Sequence, residues 1–443
     1  MHPSPILYRS HIKALSTRYD TALAAHRFDG VLIGAGLPVP VFRDDQELPY
    51  RAEPLFLQWA PLTAHPGSAI LYRPGHRPVL LVLEAEDYWY QAAALPSGAW
   101  RRQFDIRIVP RRDRIRGHLR TTGRRLALLG DPQQWQGLDL PGTINPPALL
   151  THLDYERAHK TPWEVACIEE ATKLALAGHR AVARAFAAGC SEFEMGLVFL
   201  AACGQADHEL PYPAIVAANR NGATLHYQHR SRRQLPGKTR HSLLLDAGCS
   251  HAGYASDITR THAARRGEFA SMIRGLDQAQ QRLCARVVPG VAFPDLQLAA
   301  HHEIAQLLSD WDLVHLSPEE MVDERVTDAF LPHGLGHLLG LQVHDVGGGL
   351  ASAGGGELPR PARFPRLRLT RPLAAGMVVT IEPGIYFIDS LLAGLKKKRR
   401  LARHVRWREL ARLRQFGGIR IEDNVLVTPK GHRNLTREAE TPS

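Results

Sequence analysis

Three histidines lie close together in the segment LPHGLGHLLGLQVHDVGG (331–348): His333, His337 and His344. Imidazole side chains bind transition metals and exchange protons near neutral pH. Spacings of four and seven residues would fit one face of a helix. The glycines in the segment disfavour a regular helix, however, because each costs roughly 1 kcal/mol relative to alanine. The segment alone leaves two interpretations open, a glycine-rich loop with incidental histidines and part of a chemical site.

Two aspartates belong to one predicted β segment, residues 241–262. Asp246 follows an apolar run, Asp257 lies in YASDIT, and the turn-forming residues GCSHAG lie between them. A hairpin centred on that turn would place the two aspartates directly opposite each other, with Cβ atoms about 4.5–5.5 Å apart. Two ionised carboxylates at that distance repel each other. Either arginines such as Arg260 and Arg265 or a shared cation could remove the repulsion.

Two glutamates show the same peculiarity, since Glu382 and Glu422 each interrupt an apolar strand. Hard oxygen ligands of this kind suit Mn²⁺, Mg²⁺ or a pair of zinc ions. Four carboxylates with one imidazole carry too much negative charge for one divalent ion and suit two ions about 3.5–4 Å apart. The sequence lacks the H-E-x-x-H and G-x-S-x-G motifs, which disfavours a single-zinc protease and a serine hydrolase.

The elements that must position these residues form a mixed α and β pattern. In the first third, the sequence predicts a helix and several strands, at 8–26, 29–36, 68–72, 78–84 and 125–131. This pattern indicates a small α/β domain over residues 1–155.

The remainder, residues 156–443, predicts the order helix, helix, strands twice, which indicates a duplicated half-domain. The first two helices begin at Thr161 and Ser191, each followed three residues later by glutamate, the capping-box pattern. The later helices and strands are predicted at 267–288, 294–310, 376–387 and 416–428. The overall fold class is therefore α+β.

Composition favours a globular protein, with 44% hydrophobic and 22% charged residues. The five cysteines have no C-x-x-C spacing, and neither a secretory signal nor an apolar run of membrane-spanning length is apparent, so we expect a cytoplasmic protein without a membrane partner. The net charge of +11 is concentrated partly in 396–400, which we interpret as a solvated surface without nucleic acid. The glycine-rich segment 347–359 is compatible with a mobile flap near the site or with a surface loop, and we favour the loop.

The strings LLLDAG, SDITRT, PHGLGHLLGLQVHD, TIEPGIYF and GGIRIEDN closely resemble the bacterial prolidases, which are Xaa-Pro dipeptidases of the pita-bread metallopeptidase superfamily. The resemblance extends along the whole chain. It implies two Mn²⁺ ions per subunit, with Asp257 and Glu422 bridging them. The implied metal ligands are Asp246, Asp257, His337, Glu382 and Glu422.

The resemblance also implies a mechanism for splitting the bond before a C-terminal proline. A hydroxide between the metals would attack the carbonyl carbon, and Glu382 would act as general base and then acid. His344 and His333 would contact substrate and stabilise the oxyanion. Arg368, His226 and Tyr212 match substrate-binding positions of the family, with Arg368 holding the proline carboxylate. Arg420 is expected to orient Glu422.

Residues 1–155 resemble the creatinase-N-like dimerisation domain of this family, and 156–443 resemble its pita-bread catalytic domain. The implied assembly is a homodimer in which the segment VFRDDQELPYR (41–51) reaches the partner's site. Hydrolysis of organophosphate triesters is an implied side activity.

Two alternatives remain open at this point. Aminopeptidase P shares all five ligands and differs in taking longer Xaa-Pro peptides, so only substrate length separates it from a dipeptidase. A catalytically inactive pita-bread protein acting as a binding scaffold would lack bound or activating metal.

Overall fold

The computed structural model of the chain describes residues 4–84, 89, 91, 93–119 and 125–440. The α-helices are α1 Pro5–Ala25, α2 Pro54–Trp59, α3 Pro147–Arg157, α4 Pro162–Ala188, α5 Glu192–Cys203, α6 Glu268–Ala285, α7 Phe293–Asp310, α8 Pro318–Asp323, α9 Asp389–Lys397, α10 Arg399–Ala402, α11 Trp407–Leu413 and α12 Leu435–Glu440. None of these helices is both long enough and apolar enough to cross a membrane.

The strands are short, and most of them are buried. They are β1 Gly30–Gly34, β2 Ala69–Tyr72, β3 Val79–Leu83, β4 Asp105–Val109, β5 Leu126–Leu129, β6 Thr143–Ile144, β7 Ile215–Ala218, β8 Ser242–Asp246, β9 Ser250–His251, β10 Tyr254–Ala255, β11 Thr259–Ala263, β12 Leu350–Ser352, β13 Gly355–Glu357, β14 Val378–Ile381, β15 Gly384–Tyr386, β16 Gly418–Arg420, β17 Asp423–Thr428 and β18 Gly431–Asn434.

The chain divides into two compact units. The first contains the residues up to Cys167 together with His251–Tyr254 and Leu350–Glu357. Its six-stranded mixed sheet has the order β4-β3-β2-β1-β5-β6. The strands begin and end close to the predicted positions, because each apolar run lies between glycine, proline or polar turn residues.

The second unit comprises Ile168–Ser250, Ala255–Gly349 and the residues from Leu358 onward. It contains two similar antiparallel sheets of three strands, β11-β8-β7 and β14-β17-β18. In chain order, α4 and α5 precede the first sheet, and α6 and α7 precede the second. This arrangement confirms the predicted α+β class with a repeated helix, helix, strands half. An antiparallel pair between Thr259 and Glu422 joins the two halves.

Both predicted capping boxes are present. The Thr161 N–H donates to Glu164 Oε2 at 2.7 Å, and the Ser191 N–H donates to Glu194 Oε2 at 2.8 Å. In each box the glutamate N–H donates back to the hydroxyl oxygen of the capping residue. These bonds satisfy backbone donors that the first helical turn leaves free.

The predicted hairpin register is wrong by two residues. Asp246 pairs with Thr259 rather than with Asp257. The two-residue turn lies at Ala252 and Gly253, whose φ values of 52° and 87° match a type I′ turn, instead of at His251 and Ala252, where direct pairing of the two aspartates would place it. A shift of two residues preserves side-chain alternation, so Asp257 stays on the face expected for it.

Two surface segments differ in how well the structure agrees with the prediction made from the sequence. The glycine-rich stretch, predicted as a loop, instead forms the β12–β13 hairpin, with Ser352 paired to Gly355. The basic run 396–400 spans the end of α9 and the start of α10, and all five side chains are exposed, as expected for a solvated surface.

Candidate metal and substrate site

The ends of short strands in the second unit carry four acidic residues of the predicted site. Asp246 is the last residue of β8, Glu382 directly follows β14, and Glu422 directly precedes β17. Asp257 lies two residues before β11. At the end of a strand the backbone is held by the sheet, while the side chain can point beyond the sheet edge. Such positions suit the placement of ligands.

His337 approaches this group from a separate segment. Its N–H donates to Thr380 Oγ1 at 3.1 Å, and the Thr380 N–H donates to the His337 carbonyl oxygen at 3.0 Å. Gly336 makes the approach possible, since a Cβ at that position would run into the Thr380 carbonyl oxygen. The glycines noted in the sequence therefore permit close backbone contact here.

Three of the buried side chains form a compact triad. One ligand atom each from Asp257, His337 and Glu422 lie within 4.8 Å of one another. His337 Nε2 is 3.4 Å from Asp257 Oδ2 and 3.7 Å from Glu382 Oε1. The opposite ring nitrogen, Nδ1, donates to the Leu338 carbonyl oxygen at 3.0 Å. This bond fixes the tautomer and leaves Nε2 with its lone pair directed at the carboxylates.

The electrostatics of the protein alone are unfavourable at this point. Burial, followed by the neighbouring Asp246 carboxylate, raises the pKa of Asp257 well above its ordinary value. Burial also raises the pKa of Glu422 and of Glu382, and other carboxylates of the cluster reinforce both shifts. Burial lowers the pKa of His337 to about 4, so the imidazole is neutral at pH 7.

The donor set fits divalent cations. Asp246 Oδ1 is buried and has no hydrogen-bond partner among the residues described. A bare carboxylate oxygen in a buried cluster of acids is costly, and a hard cation supplies the missing charge and ligand bond. Together with the neutral His337 nitrogen, the four carboxylates offer the ligand atoms that such ions bind.

Arg420 is the cation that the protein supplies. Its guanidinium donates to Asp246, to Tyr386 Oη at 2.8 Å and to Thr259 Oγ1 at 3.1 Å. The Thr259 hydroxyl in turn donates to Glu422 Oε2 at 2.6 Å. Arg420 therefore bonds Asp246 directly and reaches Glu422, the residue it is expected to orient, through the Thr259 hydroxyl.

The arginines named in the sequence alternative have other partners. Arg260 pairs with Asp423 and Glu440, and Arg265 donates to the Gly237 carbonyl oxygen. Arg420 of β16, far along the chain, therefore balances the charge of Asp246 and Asp257, rather than an arginine close to them in the sequence.

His333 and His344 differ in their surroundings. His333 Nδ1 donates to the Gly334 carbonyl oxygen at 2.9 Å, and the Tyr386 hydroxyl lies 2.9 Å from Nε2. Protein atoms therefore occupy both of its nitrogens. His344 is exposed, and its ring stands at 85° to that of His337 with centroids 4.5 Å apart. Partial loss of hydration among the site residues, followed by the proximity of His337, lowers the pKa of His344 to about 3.

The predicted substrate-binding residues lie around this cluster. The Tyr212 hydroxyl donates to Asp257 Oδ1 at 2.5 Å, so it contacts a predicted metal ligand. Arg368 is exposed, and its charge lowers the pKa of both His337 and His344, although burial is the larger cause. His226 is also exposed, and its proximity lowers the pKa of His333 and of His344, although burial is again the larger cause.

The predictions from the sequence do not include Thr259 and Tyr386, which also belong to the site. Thr259 pairs with Asp246 across the hairpin, so a correct register would have identified it. Tyr386 lies in the quoted string TIEPGIYF, but nothing local distinguishes its hydroxyl from that of a core tyrosine.

Residues 166–429 match the model of metallopeptidase family M24, and residues 6–155 match the model described as Xaa-Pro dipeptidase, N-terminal domain. The Xaa-Pro dipeptidase of Aeromonas hydrophila is 43% identical over 433 residues, covering 98% of both chains. That of Xanthomonas campestris pv. campestris is 45% identical, covering 98% of this chain and 97% of its own.

Solved structures of Escherichia coli aminopeptidase P share the fold. The zinc-substituted form in complex with product superposes with a TM-score of 0.70 at 19% identity, covering 99% of this chain and 96% of that one. The low-pH form gives 0.72 at 20% identity. The pita-bread arrangement, the buried carboxylate cluster and the family match over most of the second unit lead to one conclusion: this chain belongs to metallopeptidase family M24.

Proposed function

We propose that this protein is an Xaa-Pro dipeptidase that uses two divalent metal ions, with Mn²⁺ as the expected metal. The observation that carries the proposal is the buried convergence of Asp257, His337 and Glu422 with Asp246 and Glu382. The near-full-length similarity to Xaa-Pro dipeptidases supports the substrate class.

In the proposed mechanism, Asp246, Asp257, His337, Glu382 and Glu422 would hold the two ions. When bound, the ions supply a water of lowered pKa as a hydroxide nucleophile and polarise the carbonyl before proline. Glu382 takes the proton of the attacking water and delivers it to the leaving proline nitrogen.

Substrate recognition is assigned to exposed groups around the cluster. Arg368 would hold the free carboxylate of the proline as a bidentate pair, and His226 would line the same pocket. His344 would donate to the developing oxyanion. His333 would share this role, and to perform it the imidazole must exchange a protein partner for substrate, because both of its nitrogens are hydrogen-bonded within the protein.

The substrate class is tested with metal-stripped protein, assayed with and without Mn²⁺ on Ala-Pro and Ala-Pro-Ala. A dipeptidase cleaves only Ala-Pro and regains activity with Mn²⁺. Preference for Ala-Pro-Ala would replace the proposal with an aminopeptidase P activity. No cleavage of either peptide in either metal state would indicate a scaffold.

Two variants test the residue roles. Asp257→Asn removes a shared ligand and is expected to abolish turnover and metal content together. Arg368→Ala is expected to raise KM for Ala-Pro at least about tenfold, since hydrogen bonds between charged groups contribute roughly 1.5–3 kcal/mol. Unchanged dipeptide kinetics in Arg368→Ala would remove the proposed carboxylate contact.

The proposed assembly is a homodimer formed through an N-terminal domain, residues 1–155, with catalysis in 156–443. Support comes from the segment around 41–51, where Val39, Phe42 and Leu48 are 46%, 89% and 53% exposed. Exposed apolar residues clustered in this way are typical of a protein interface. Light scattering should give a dimer mass, and Phe42→Ser should shift the mass toward the monomer.

Two further features complete the proposal. The five cysteines are all free thiols, which fits a reducing cytoplasm. A weak phosphotriesterase activity is proposed because in both reactions a hydroxide attacks an electrophilic centre and displaces a leaving group. Hydrolysis of paraoxon by wild-type protein but not by Asp257→Asn would support a shared site.

A further inference from the structure

The buried carboxylate of Glu192 lies outside the predicted site and has no role in the mechanism above. Glu192 is the first residue of α5, and 1% of its surface is exposed. No lysine, arginine or histidine in the described parts of the chain forms an ion pair with it. Burying an ionised group without such a partner is costly unless hydrogen bonds satisfy it, so this position calls for a specific explanation.

Four donors satisfy the carboxylate completely. Oε1 accepts from the Ala218 N–H at 2.7 Å and from Asn221 Nδ2 at 2.8 Å. Oε2 accepts from the Tyr227 hydroxyl at 2.8 Å and from the Ser231 N–H at 2.7 Å. Charge-assisted bonds of this length are roughly twice as strong as neutral ones, and the N-terminus of α5 adds favourable dipoles.

All four donors belong to one connecting segment, which leaves β7 at Ala218 and returns to α5 at Ser231. The Phe193 N–H donates to the Ser231 carbonyl oxygen at 3.1 Å, which reinforces the return. His226 lies inside this segment, next to Tyr227. Tyr227 is anchored further by its place in a buried cluster that includes Tyr386. One carboxylate thus fixes both ends and the middle of the segment that presents His226.

We infer that Glu192 is a positioning residue for substrate binding: it holds the segment 218–231 so that His226 faces the metal cluster. This inference rests on the proposed function, because His226 is the group assigned to substrate. Glu192 itself touches neither substrate nor metal, and it acts through the backbone of the segment.

Glu192→Gln is the sharpest perturbation, because it preserves size while removing acceptors. Each carboxylate oxygen binds one backbone N–H, and a backbone N–H cannot reverse its direction. Whichever way the glutamine amide points, its NH₂ group faces either Ala218 or Ser231. One of the two ends of the segment is then released.

We expect Glu192→Gln to raise KM for Ala-Pro by roughly tenfold and to change kcat much less. The reason is that a displaced His226 loses its contact with the bound substrate. In a His226→Ala background the same change should alter KM less than about twofold, because the residue being positioned is gone. Equal effects in both backgrounds would overturn the inference.

Glu194→Gln is the matched control on the same helix. Glu194 caps α5 through Ser191 and bonds Gln234, and it does not contact the segment 218–231. Glutamine also serves in a capping box, so this variant removes a carboxylate from α5 with little loss of thermal stability and should leave KM within about twofold. Tyr227→Phe removes one of the four bonds without a size change and should give a smaller rise in KM than Glu192→Gln. If Glu194→Gln raised KM as much as Glu192→Gln, the effect would come from removing any carboxylate of α5 rather than from releasing the segment 218–231, and the inference would fail.

Hydrogen–deuterium exchange provides a readout that needs no turnover. Peptides covering 218–231 should exchange faster in Glu192→Gln than in wild type, while peptides covering β8 and β14 stay unchanged. If wild-type protein does not cleave Ala-Pro, the proposed function fails and exchange decides the positioning role alone. Unchanged exchange in 218–231 would overturn it.

Discussion

The buried carboxylate of Asp423 allows a quantitative prediction of stability. Asp423 follows the predicted ligand Glu422 and is completely buried. Oδ1 accepts from Arg260 at 2.7 Å, and Oδ2 accepts from Arg437 at 2.7 Å, from Asn434 at 2.8 Å and from Gln280 at 3.0 Å. These donors come from β11, α12, β18 and α6, so one carboxylate links four elements around the site.

Asp423→Asn keeps the size and removes the charge. The less costly orientation turns the amide nitrogen toward Arg260, because the opposite orientation would face three donors. Arg260 retains a bond to Glu440 Oε1 at 2.7 Å and bonds to two backbone carbonyl oxygens. The cost should therefore lie at the lower end of the roughly 3–5 kcal/mol observed when one partner of a buried pair is removed.

The assay is thermal unfolding followed by circular dichroism and calorimetry. At about 2 °C per kcal/mol, a loss of about 3 kcal/mol lowers Tm by about 6 °C. Asp277→Asn is the control, because this aspartate pairs with Arg437 while 29% of its side chain is exposed. A partly exposed pair contributes about 1 kcal/mol or less, so Tm should fall by less than about 2 °C. Equal falls in Tm for the two variants would refute the burial argument.

Three other predictions follow from the described contacts. Gly336→Ala should reduce metal content and activity by more than about tenfold, whereas Gly349→Ala, where a Cβ would make only ordinary contact, should change neither. Burial, followed by the charge of Arg363, lowers the pKa of His301 from 6.5 to about 3. The unfolded chain therefore binds a proton at His301 before the folded protein does, and stability falls as the pH drops from 6.5 toward 3. Between pH 7 and pH 4, Tm should fall less in His301→Gln than in wild-type protein. Mn²⁺ at 100 times its dissociation constant should stabilise wild-type protein by about 2.7 kcal/mol and leave the Tm of Asp257→Asn nearly unchanged. A Tm of the metal-free protein that does not respond to Mn²⁺ would contradict the assigned cluster.

The amino-acid sequence by itself determined most of the helices and strands. The capping boxes at Thr161 and Ser191 were readable because their hydrogen bonds join residues three positions apart. The repeated order of helices and strands was readable from apolar periodicity, which reflects burial of one face of each element. The types and sequence contexts of the carboxylates and histidines were sufficient to suggest the superfamily and the metal chemistry.

Only the tertiary structure decided which groups meet. It set the hairpin register through the turn at Ala252, it paired Asp246 with Arg420 rather than with a neighbouring arginine, and it gave Glu192 four donors from one segment. The physical reason is that the partner of a buried charge depends on how elements far apart in the chain pack together. Local patterns record burial and backbone geometry, and they contain no information about which distant donor satisfies a buried acceptor.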